Sequence, residues 1–286
     1  MDEVKFFEPQ ESIKKYISGY LETRQSFEQT DKPFFTPKGT CAISISIEVT
    51  PGSFLAYPDL SAKNYVKKHV SMFIGQMTRI GNSILGKDFH IFVIVFSPTG
   101  IFHFIDGPAT QIRDRVCELS QMGMADLEHN MIAAIKTGSS PSDWVPAFNE
   151  ILLDHFSSKP EKKVSLDVKP IVDHILAKNG NLVLEDLIEQ YGVNTRTFQK
   201  NFLQQVGIPP KLFCRIIRFN SLLLAINSLK WDILSRAVEF GYSDNSHLYK
   251  DFKAFLGMTP KQYLSTYFKA NLQVEEAVHN NVNKKR

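Results

Sequence analysis

The sequence predicts a multidomain α+β protein, in which a β-rich N-terminal domain with helices precedes an all-α C-terminal domain with two helix-turn-helix units. Three observations predict this class. The chain has 286 residues, and chains beyond about 250 residues usually divide into more than one hydrophobic core. The first half alternates apolar and polar residues as strands do, whereas the second half repeats apolar residues at helical spacing. A short polar segment separates the two halves.

That polar segment sets the predicted limits of the domains. It runs over residues 158–163 and contains a proline, which is typical of a linker. The N-terminal domain is therefore predicted at residues 1–157 and the C-terminal domain at residues 164–268. A polar tail is predicted at residues 269–286.

The charge is divided unevenly between the two halves. Residues 1–160 hold 15 Lys or Arg against 18 Asp or Glu, whereas residues 161–286 hold 18 against 12. The net charge of +3 for the whole chain therefore combines −3 in the first part with +6 in the second. A basic part joined to an acidic part is typical of a polyanion-binding domain with an appended module.

The sequence also indicates that this chain is neither a membrane protein nor a secreted protein. The longest purely apolar run, residues 91–96, is far shorter than the roughly 18 residues of a spanning helix. The N-terminus begins acidic and lacks the basic and apolar parts of a secretory signal. Cys41, Cys117 and Cys214 are far apart and form no CxxC pair. These features predict reduced thiols in a cytoplasmic protein with no membrane partner.

The first half is predicted to begin with strands and to end with helices. Residues 42–47 alternate strictly, as in a half-buried strand, and residues 89–96 are rich in β-branched and aromatic side chains. Residues 98–100 provide a turn, and residues 101–105 resume the strand pattern, so we predict a hairpin. Residues from 109 to 156 show helical spacing.

The first half lacks the patterns of catalytic and metal sites. His69, His90 and His103 are scattered, and no HxH motif with a following Glu and a distant His is present. Neither GxSxG, nor a glycine-rich phosphate loop, nor HExxH occurs in the chain. We therefore predict that the protein is not an enzyme and that it holds no metal or cofactor.

The first candidate helix-turn-helix unit lies around Gly192. A short amphipathic helix ends there, because a residue without Cβ permits the left-handed turn. Asn194 or Thr195 can cap the next helix. Phe198 and Phe202, four residues apart, share the buried face of that helix. Its predicted outward side chains are Arg196, Gln199 and Lys200.

The pattern repeats around Gly241. Residues 231–240 are predicted as a short helix, and Ser243 or Asp244 can cap the helix that follows the turn. The buried stripe of that helix consists of Leu248, Phe252 and Phe255. Its predicted outward side chains are Asn245, Ser246, Tyr249 and Lys250. Between the units, the apolar stretch 209–227 predicts a central helix held by both.

Residues 164–267 resemble the AraC/XylS family of transcription regulators. The strongest likeness is in residues 241–248 (GYSDNSHL) and 255–263 (FLGMTPKQY), and the first unit is similar at residues 185–187 and 206–210. The resemblance implies that the second helix of each unit enters a major groove, so that one domain meets two adjacent grooves. The base-reading positions are then Arg196, Gln199, Lys200, Asn245, Ser246, Tyr249 and Lys250.

Three further basic residues of the C-terminal domain are candidates for contacts with phosphate groups. They are Lys211, Arg218 and Lys253. An internal ion pair that braces the domain is the alternative role for Arg218. Phosphate contacts fix the register of a protein on DNA without reading its sequence, so these residues are predicted to add affinity and no specificity.

In the first half the resemblance is weaker and rests on residues 37–39 and 96–100. It implies a cupin-like barrel or sandwich that binds an effector, followed by helices that dimerise, at residues 110–136 or 143–156. The predicted function is a sequence-specific DNA-binding transcription regulator controlled by this sensor domain. Its predicted partners are double-stranded DNA and a small-molecule effector, with RNA polymerase and a second copy of the chain as further candidates.

Two alternatives to this function remain open at the level of sequence. In the first, the N-terminal domain binds another protein in place of a small ligand, which the acidic character of this half favours. In the second, an enzyme that processes a small molecule is fused to a DNA-binding domain, and only the predicted barrel motivates it.

Overall fold

The computed structural model describes residues 3–26, 34–57, 63–84, 88–229 and 237–266. An antiparallel β domain with helices comes first and a helical domain follows, which confirms the predicted fold class. Each domain has its own large hydrophobic core, and a small third cluster lies within the β domain. Among the described helices, none has both the length and the apolarity needed to cross a membrane.

The first sheet has six antiparallel strands in the spatial order β1-β2-β9-β4-β7-β10. Their bounds are Glu3–Phe7 (β1), Ile17–Ser26 (β2), Asp88–Phe96 (β9), Ala42–Val49 (β4), Ser71–Ile74 (β7) and Val116–Glu118 (β10). The strands predicted from alternation at residues 42–47 and from β-branched residues at 89–96 are thus adjacent, as β4 and β9. Ser44 and Ser46 are buried like their apolar neighbours, so β4 is covered on both faces and not half-buried as predicted.

The second sheet has four short antiparallel strands in the order β3-β8-β5-β6. Their bounds are Phe34–Phe35 (β3), Gly81–Ile84 (β8), Phe54–Ala56 (β5) and Lys63–Tyr65 (β6). Two antiparallel sheets in one domain agree with the predicted barrel or sandwich.

The predicted hairpin of residues 89–105 is wrong in its second strand, because Gly100–Phe104 forms a short helix, α1. Ile101, Phe102 and Phe104 are all buried, so the segment has no polar face that distinguishes a helix from a strand. The backbone of Gly100 lies against the carbonyl oxygen of Tyr16, where a Cβ atom would come within 1.9 Å. Such a close approach was not visible in the local sequence pattern.

The helices predicted between residues 109 and 156 are present only after residue 125. The earlier part contains strand β10 between two 3₁₀ turns, Ala109–Ile112 and Leu119–Met122. Ala125–Thr137 (α2) and Pro141–Ser158 (α3) then pack against each other, and both bury their apolar stripes in the core of the β domain. A dimer contact through these helices stays a prediction.

The C-terminal domain is made of helices arranged around one long central helix. Their bounds are Lys169–Ala177 (α4), Leu184–Gln190 (α5), Thr195–Val206 (α6), Pro210–Leu229 (α7), Asn245–Leu256 (α8) and Pro260–Thr266 (α9). The central helix α7 contacts α4, α6, α8 and the 3₁₀ turn Ala237–Phe240. The part of the predicted helix at residues 231–236 and the predicted tail at 269–286 lie outside the described residues.

The two domains are in direct contact. The side-chain amide of Asn220 on α7 donates to the carbonyl oxygen of Pro37 at 2.9 Å. Ile80 of the β domain packs against the core of the C-terminal domain. Gly207, which follows α6, lies so close to the backbone of Ala109 that a Cβ atom would come within 2.7 Å of its carbonyl oxygen. Both α6 and α7 are therefore positioned partly by the N-terminal domain.

We expect the protein to lose stability when the pH falls below about 6.5, the ordinary pKa of histidine. Burial lowers the pKa of His155, whose Nε2 lies 2.9 Å from the carbonyl oxygen of Phe104. Burial likewise lowers the pKa of His90 and His103. The histidines of the unfolded chain then take up protons at a higher pH than those of the folded chain. The stabilisation that they contribute is therefore complete above pH 6.5, and the free energy of unfolding decreases as the pH falls below that value.

Urea unfolding at pH 7.5 and pH 5.5 measures this effect. His155→Gln keeps a donor for the Phe104 carbonyl and removes one titrating group, so its loss of stability between the two pH values should be smaller than that of the wild type. An equal loss in both proteins would show that His155 is not protonated preferentially in the unfolded chain.

Candidate nucleic-acid interface

The turn of the first unit is built as the sequence indicates. Gly192 ends α5 with a φ of +61°, in the left-handed region that glycine adopts readily. The side chain of Asn194 accepts a hydrogen bond from the backbone amide of Thr197 at 2.8 Å, so Asn194, and not Thr195, caps α6. Phe198 and Phe202 are fully buried beneath the helix, with ring centroids 5.5 Å apart.

Five polar residues of α6 fall into two groups by their exposure. Arg196, Gln199 and Lys200 are exposed. Asn201 and Gln205 are buried and hold the segment that precedes α4: Asn201 donates to Ser165 Oγ at 2.9 Å, and Gln205 donates to the Leu166 carbonyl at 2.6 Å. The first group is exposed, so that an external partner can reach it, whereas the second binds α6 to the segment that connects it to the N-terminal domain.

The second unit repeats the arrangement. Gly241 has a φ of +78°, and the Asp244 carboxylate accepts from the backbone amide of His247 at 2.8 Å. Asp244, and not Ser243, is therefore the cap of α8, and its hydrogen bonds to the His247 amide and the Ser243 hydroxyl lower the pKa of its carboxyl group. The predicted stripe of Leu248, Phe252 and Phe255 is buried. The outward side chains are exposed: Asn245, Ser246, Tyr249 and Lys250.

A buried polar cluster lies beneath α8, and the sequence reasoning missed it. The fully buried carboxylate of Asp251 accepts from the guanidinium of Arg215 on α7 at 2.6 and 3.1 Å and from the hydroxyl of Tyr242 at 3.3 Å. Burial, followed by the charge of Asp251, raises the pKa of Tyr242. Asp251 lies three residues after Leu248 and four before Phe255, so its helical spacing places it on the buried face. That spacing could have placed Asp251 on the buried face, but it does not indicate that Arg215 is its partner.

Arg218 has an internal role. Its guanidinium donates to the carbonyl oxygen of Gly241 at 3.3 Å and lies 4.9 Å from the centroid of the Tyr242 ring. These contacts tie α7 to the turn of the second unit, so Arg218 braces the domain through a hydrogen bond and a cation–π contact and, among the described residues, not through the predicted ion pair. A phosphate contact of Arg218 stays a prediction. Lys211 and Lys253, the other two candidates for phosphate contacts, are exposed.

Comparison with known proteins agrees with this architecture. A family model described as a helix-turn-helix domain matches residues 187–266. An uncharacterized HTH-type transcriptional regulator of Haemophilus influenzae is 29% identical over 80 residues, which are 28% of this chain and 27% of that protein. The aligned segment thus spans about a quarter of that relative. The match confirms the resemblance of the C-terminal domain.

Solved structures similar to this chain extend over both domains. A 1.65 Å structure of ToxT from Vibrio cholerae has a TM-score of 0.50 and 13% identity, over 86% of this chain and 98% of that chain. Another ToxT structure, from strain O395, has a TM-score of 0.52 and 13% identity, over 88% and 99%. A third, solved with (E)-4-(8-methylnaphthalen-1-yl)but-3-enoic acid bound, has a TM-score of 0.50 and 11% identity, over 86% and 98%. At these identities the likeness shows a shared fold.

Proposed function

We propose that this chain, whose residues 187–266 form an AraC-type helix-turn-helix domain, is a transcription regulator that binds double-stranded DNA in a sequence-specific manner. The observation that carries the proposal is the pairing of α6 and α8. Each is capped by a side chain after a left-handed glycine, each buries aromatic residues, and each exposes long polar side chains. The central helix α7 contacts both.

In this proposal α6 and α8 enter two adjacent major grooves, about 34 Å apart along the duplex. Arg196, Lys200 and Lys250 have the donors that suit O6 and N7 of guanine, and Gln199 and Asn245 can pair with N6 and N7 of adenine. Ser246 and Tyr249 add hydroxyl groups on the exposed face of α8. The basic balance of residues 161–286 supplies the attraction to phosphate that DNA binding needs.

The test of this function is selection of bound duplexes from a randomised DNA library by the full chain, followed by binding assays over a range of salt. We expect a bipartite motif whose halves are one helical turn apart, and an affinity that falls steeply with added salt. Equal binding of selected and random duplexes at moderate salt would refute the proposal.

Gln199→Ala is expected to relax the preference for one base pair in the half-site read by α6. Loss of a bidentate contact removes about 1–3 kcal/mol of discrimination. Because the Gln199 side chain is exposed, its truncation should leave the fold intact. Binding to a set of single-base variants of the selected site measures the change. Gln204→Ala on the same helix, at a position not predicted to read bases, is the control, and identical profiles for both variants would contradict the role of Gln199.

We further propose that the N-terminal domain controls DNA binding by taking up a small organic acid. The third ToxT structure was solved with such an acid bound, and here the N-terminal domain contacts both α6 and α7. The acidic character of this half favours a protein partner as the alternative. Co-purification of a partner that abolishes DNA binding would favour that alternative.

Several other predictions from the sequence belong to the same proposal. They are the domain limits at 1–157, 158–163, 164–268 and 269–286, the absence of enzymatic activity, a cytoplasmic location, self-association through the helices within 110–136 or 143–156, and contact with RNA polymerase.

A further inference from the structure

A cleft of about 270 Å³ lies between the two domains. Its N-terminal wall includes Lys15, Tyr16, Phe102 and His103, and its other wall is formed by the segment 164–169 together with Gln205 of α6. Pockets for drug-sized ligands have volumes of roughly 300–1,000 Å³, so this cleft suits a smaller molecule. A molecule in this position would touch both domains.

The N-terminal wall offers polar groups that are not used within the protein. In the described part of the chain, the Lys15 ammonium makes no ion pair and lies 4.6 Å from the centroid of the Tyr16 ring. The half-buried imidazole of His103 has ring contacts with Tyr16 and Phe102, and its nitrogens make no hydrogen bond with the described residues. A cation and an imidazole, each in contact with the Tyr16 ring, are therefore available along one aromatic wall.

The polar groups of the opposite wall are already engaged. The Gln205 amide is hydrogen-bonded to the Leu166 carbonyl and the Val168 amide. The Lys169 ammonium pairs with Asp173 at 2.5 Å, and the Asp167 carboxylate accepts from the backbone amide of Lys169. This wall contributes shape and the apolar side chain of Val164. Among the described residues, the lining charges without an ion-pair partner are Lys15 on one wall and Asp167 on the other, and the Asp167 carboxylate is held by the Lys169 backbone amide.

We propose that this cleft binds a small organic anion, whose charged group meets Lys15 and His103 and whose flat apolar part lies against Tyr16 and Phe102. The inference rests on the proposed function, because it identifies the site and the chemical class of the controlling ligand. Tyr16 is held for this contact by stacking on Phe156, with ring centroids 4.1 Å apart.

The electrostatic surroundings favour an anion over a cation. Burial lowers the pKa of His103, and the charges of Lys162 on the linker and of Lys15 lower it further, while Asp167 acts in the opposite direction. Burial and the two lysines therefore favour the neutral form of the imidazole, and each lysine affects the pKa of His103 more than Asp167 does. A bound anion raises the pKa of His103 by attraction, so the anion binds more tightly as the pH falls toward and below 6.5.

The linker connects this cleft to the helix that is proposed to read DNA. Lys162 donates to the carbonyl oxygens of Phe102, Ile105 and Gly107 at 2.5, 2.5 and 3.0 Å, so the linker is fixed to the N-terminal wall. The segment that follows is fixed to α6 by Gln205 and Asn201. A ligand that holds the two walls together thereby restrains α6 relative to the N-terminal domain.

The experiment is calorimetric titration of the full chain with four probes: benzoate, phenyl phosphate, inorganic phosphate and benzyl alcohol. We expect benzoate or phenyl phosphate to bind at least tenfold more tightly than benzyl alcohol and inorganic phosphate. The two aromatic anions distinguish a carboxylate from a phosphate ligand. The proposal is overturned if neither aromatic anion binds. It is also overturned if benzyl alcohol or inorganic phosphate binds as tightly as the tighter of the two aromatic anions.

Two variants locate the site. Lys15→Ala should weaken binding at least tenfold, whereas Lys14→Ala, which removes a neighbouring lysine that pairs with Glu11 at 2.9 Å, should leave the Kd unchanged. The affinity for benzoate should increase between pH 8 and pH 5.5 in the wild type and stay nearly constant in His103→Gln. Equal effects of the two lysine variants, or the same pH dependence in wild type and His103→Gln, place the anion elsewhere.

DNA binding by the same samples separates the two proposals. A chain that binds selected DNA but none of the probes refutes the cleft assignment and leaves the regulator intact. A chain that binds the probes with the expected variant effects but shows no DNA preference refutes the regulator and leaves the cleft assignment.

Discussion

Gly180→Ala is expected to lower the free energy of unfolding by about 3 kcal/mol, as the sum of two costs. Gly180 has a φ of +68°, and a residue with Cβ pays about 1–2 kcal/mol in this left-handed region. Its Cβ would also lie 2.2 Å from the carbonyl oxygen of Cys214 and 2.8 Å from the amide nitrogen of Arg218. Both atoms belong to the backbone of α7, which cannot move as a side chain can, and overpacking typically costs about 1–3 kcal/mol.

Gly257→Ala is the matched control for this variant. Gly257 has the same φ of +68°, but no heavy atom of the described residues, its immediate chain neighbours apart, lies within 4 Å of its Cβ position. We expect only the conformational cost of about 1–2 kcal/mol. Urea unfolding of both variants measures the difference, which isolates the contact between the loop after α4 and the central helix. If the two variants lose equal stability, Gly180 does not pack against α7.

Asp251→Ala is also expected to destabilise the protein by about 3 kcal/mol, because removing one partner of a buried ion pair leaves the other uncompensated. The variant removes the acceptor for the Arg215 guanidinium and for the Tyr242 hydroxyl. Arg215 is 34% exposed and regains part of its hydration, so the loss lies toward the lower end for such pairs. Because Asp251 joins α8 to α7, DNA affinity should fall as well.

Asp244→Ala serves as the comparison on the same helix. Its exposed carboxylate caps α8, and loss of an exposed cap costs less stability than loss of one partner of a buried ion pair. The double variant Arg215→Ala with Asp251→Ala should be less destabilised than the sum of the single variants, because the two side chains contact each other. An Asp251→Ala variant as stable as Asp244→Ala would show that the cluster contributes no more than a surface cap.

The candidate DNA-binding site was predictable from sequence because each of its elements is local. A left-handed glycine, a capping side chain within three residues and aromatic residues four apart act over one or two helical turns, as Gly192, Asn194 and Phe198 show. The choice between Asn194 and Thr195, and between Ser243 and Asp244, needed the structure, since neighbouring residues have similar capping ability.

The segment at residues 101–105 and the role of Asp251 were not predicted, because distant parts of the chain decide them. Apolar residues buried on all sides are compatible with either a strand or a helix, and the close approach of Gly100 to Tyr16 belongs to the helix observed. A charged residue within a helix is assigned to the surface by default, unless a partner such as Arg215 is known to lie opposite.

The sequence by itself determined that the chain has a β-rich half and a helical half, and it identified seven of the side chains that α6 and α8 expose, because periodicity and capping depend on neighbouring residues. Only the tertiary structure decided which polar residues are buried and hydrogen-bonded, and how Asn220 and the linker residue Lys162 contact the N-terminal domain. It alone also placed a cleft beside Lys15 and His103. Those contacts bring together residues far apart in the chain, and their energies depend on burial and geometry that no local pattern contains.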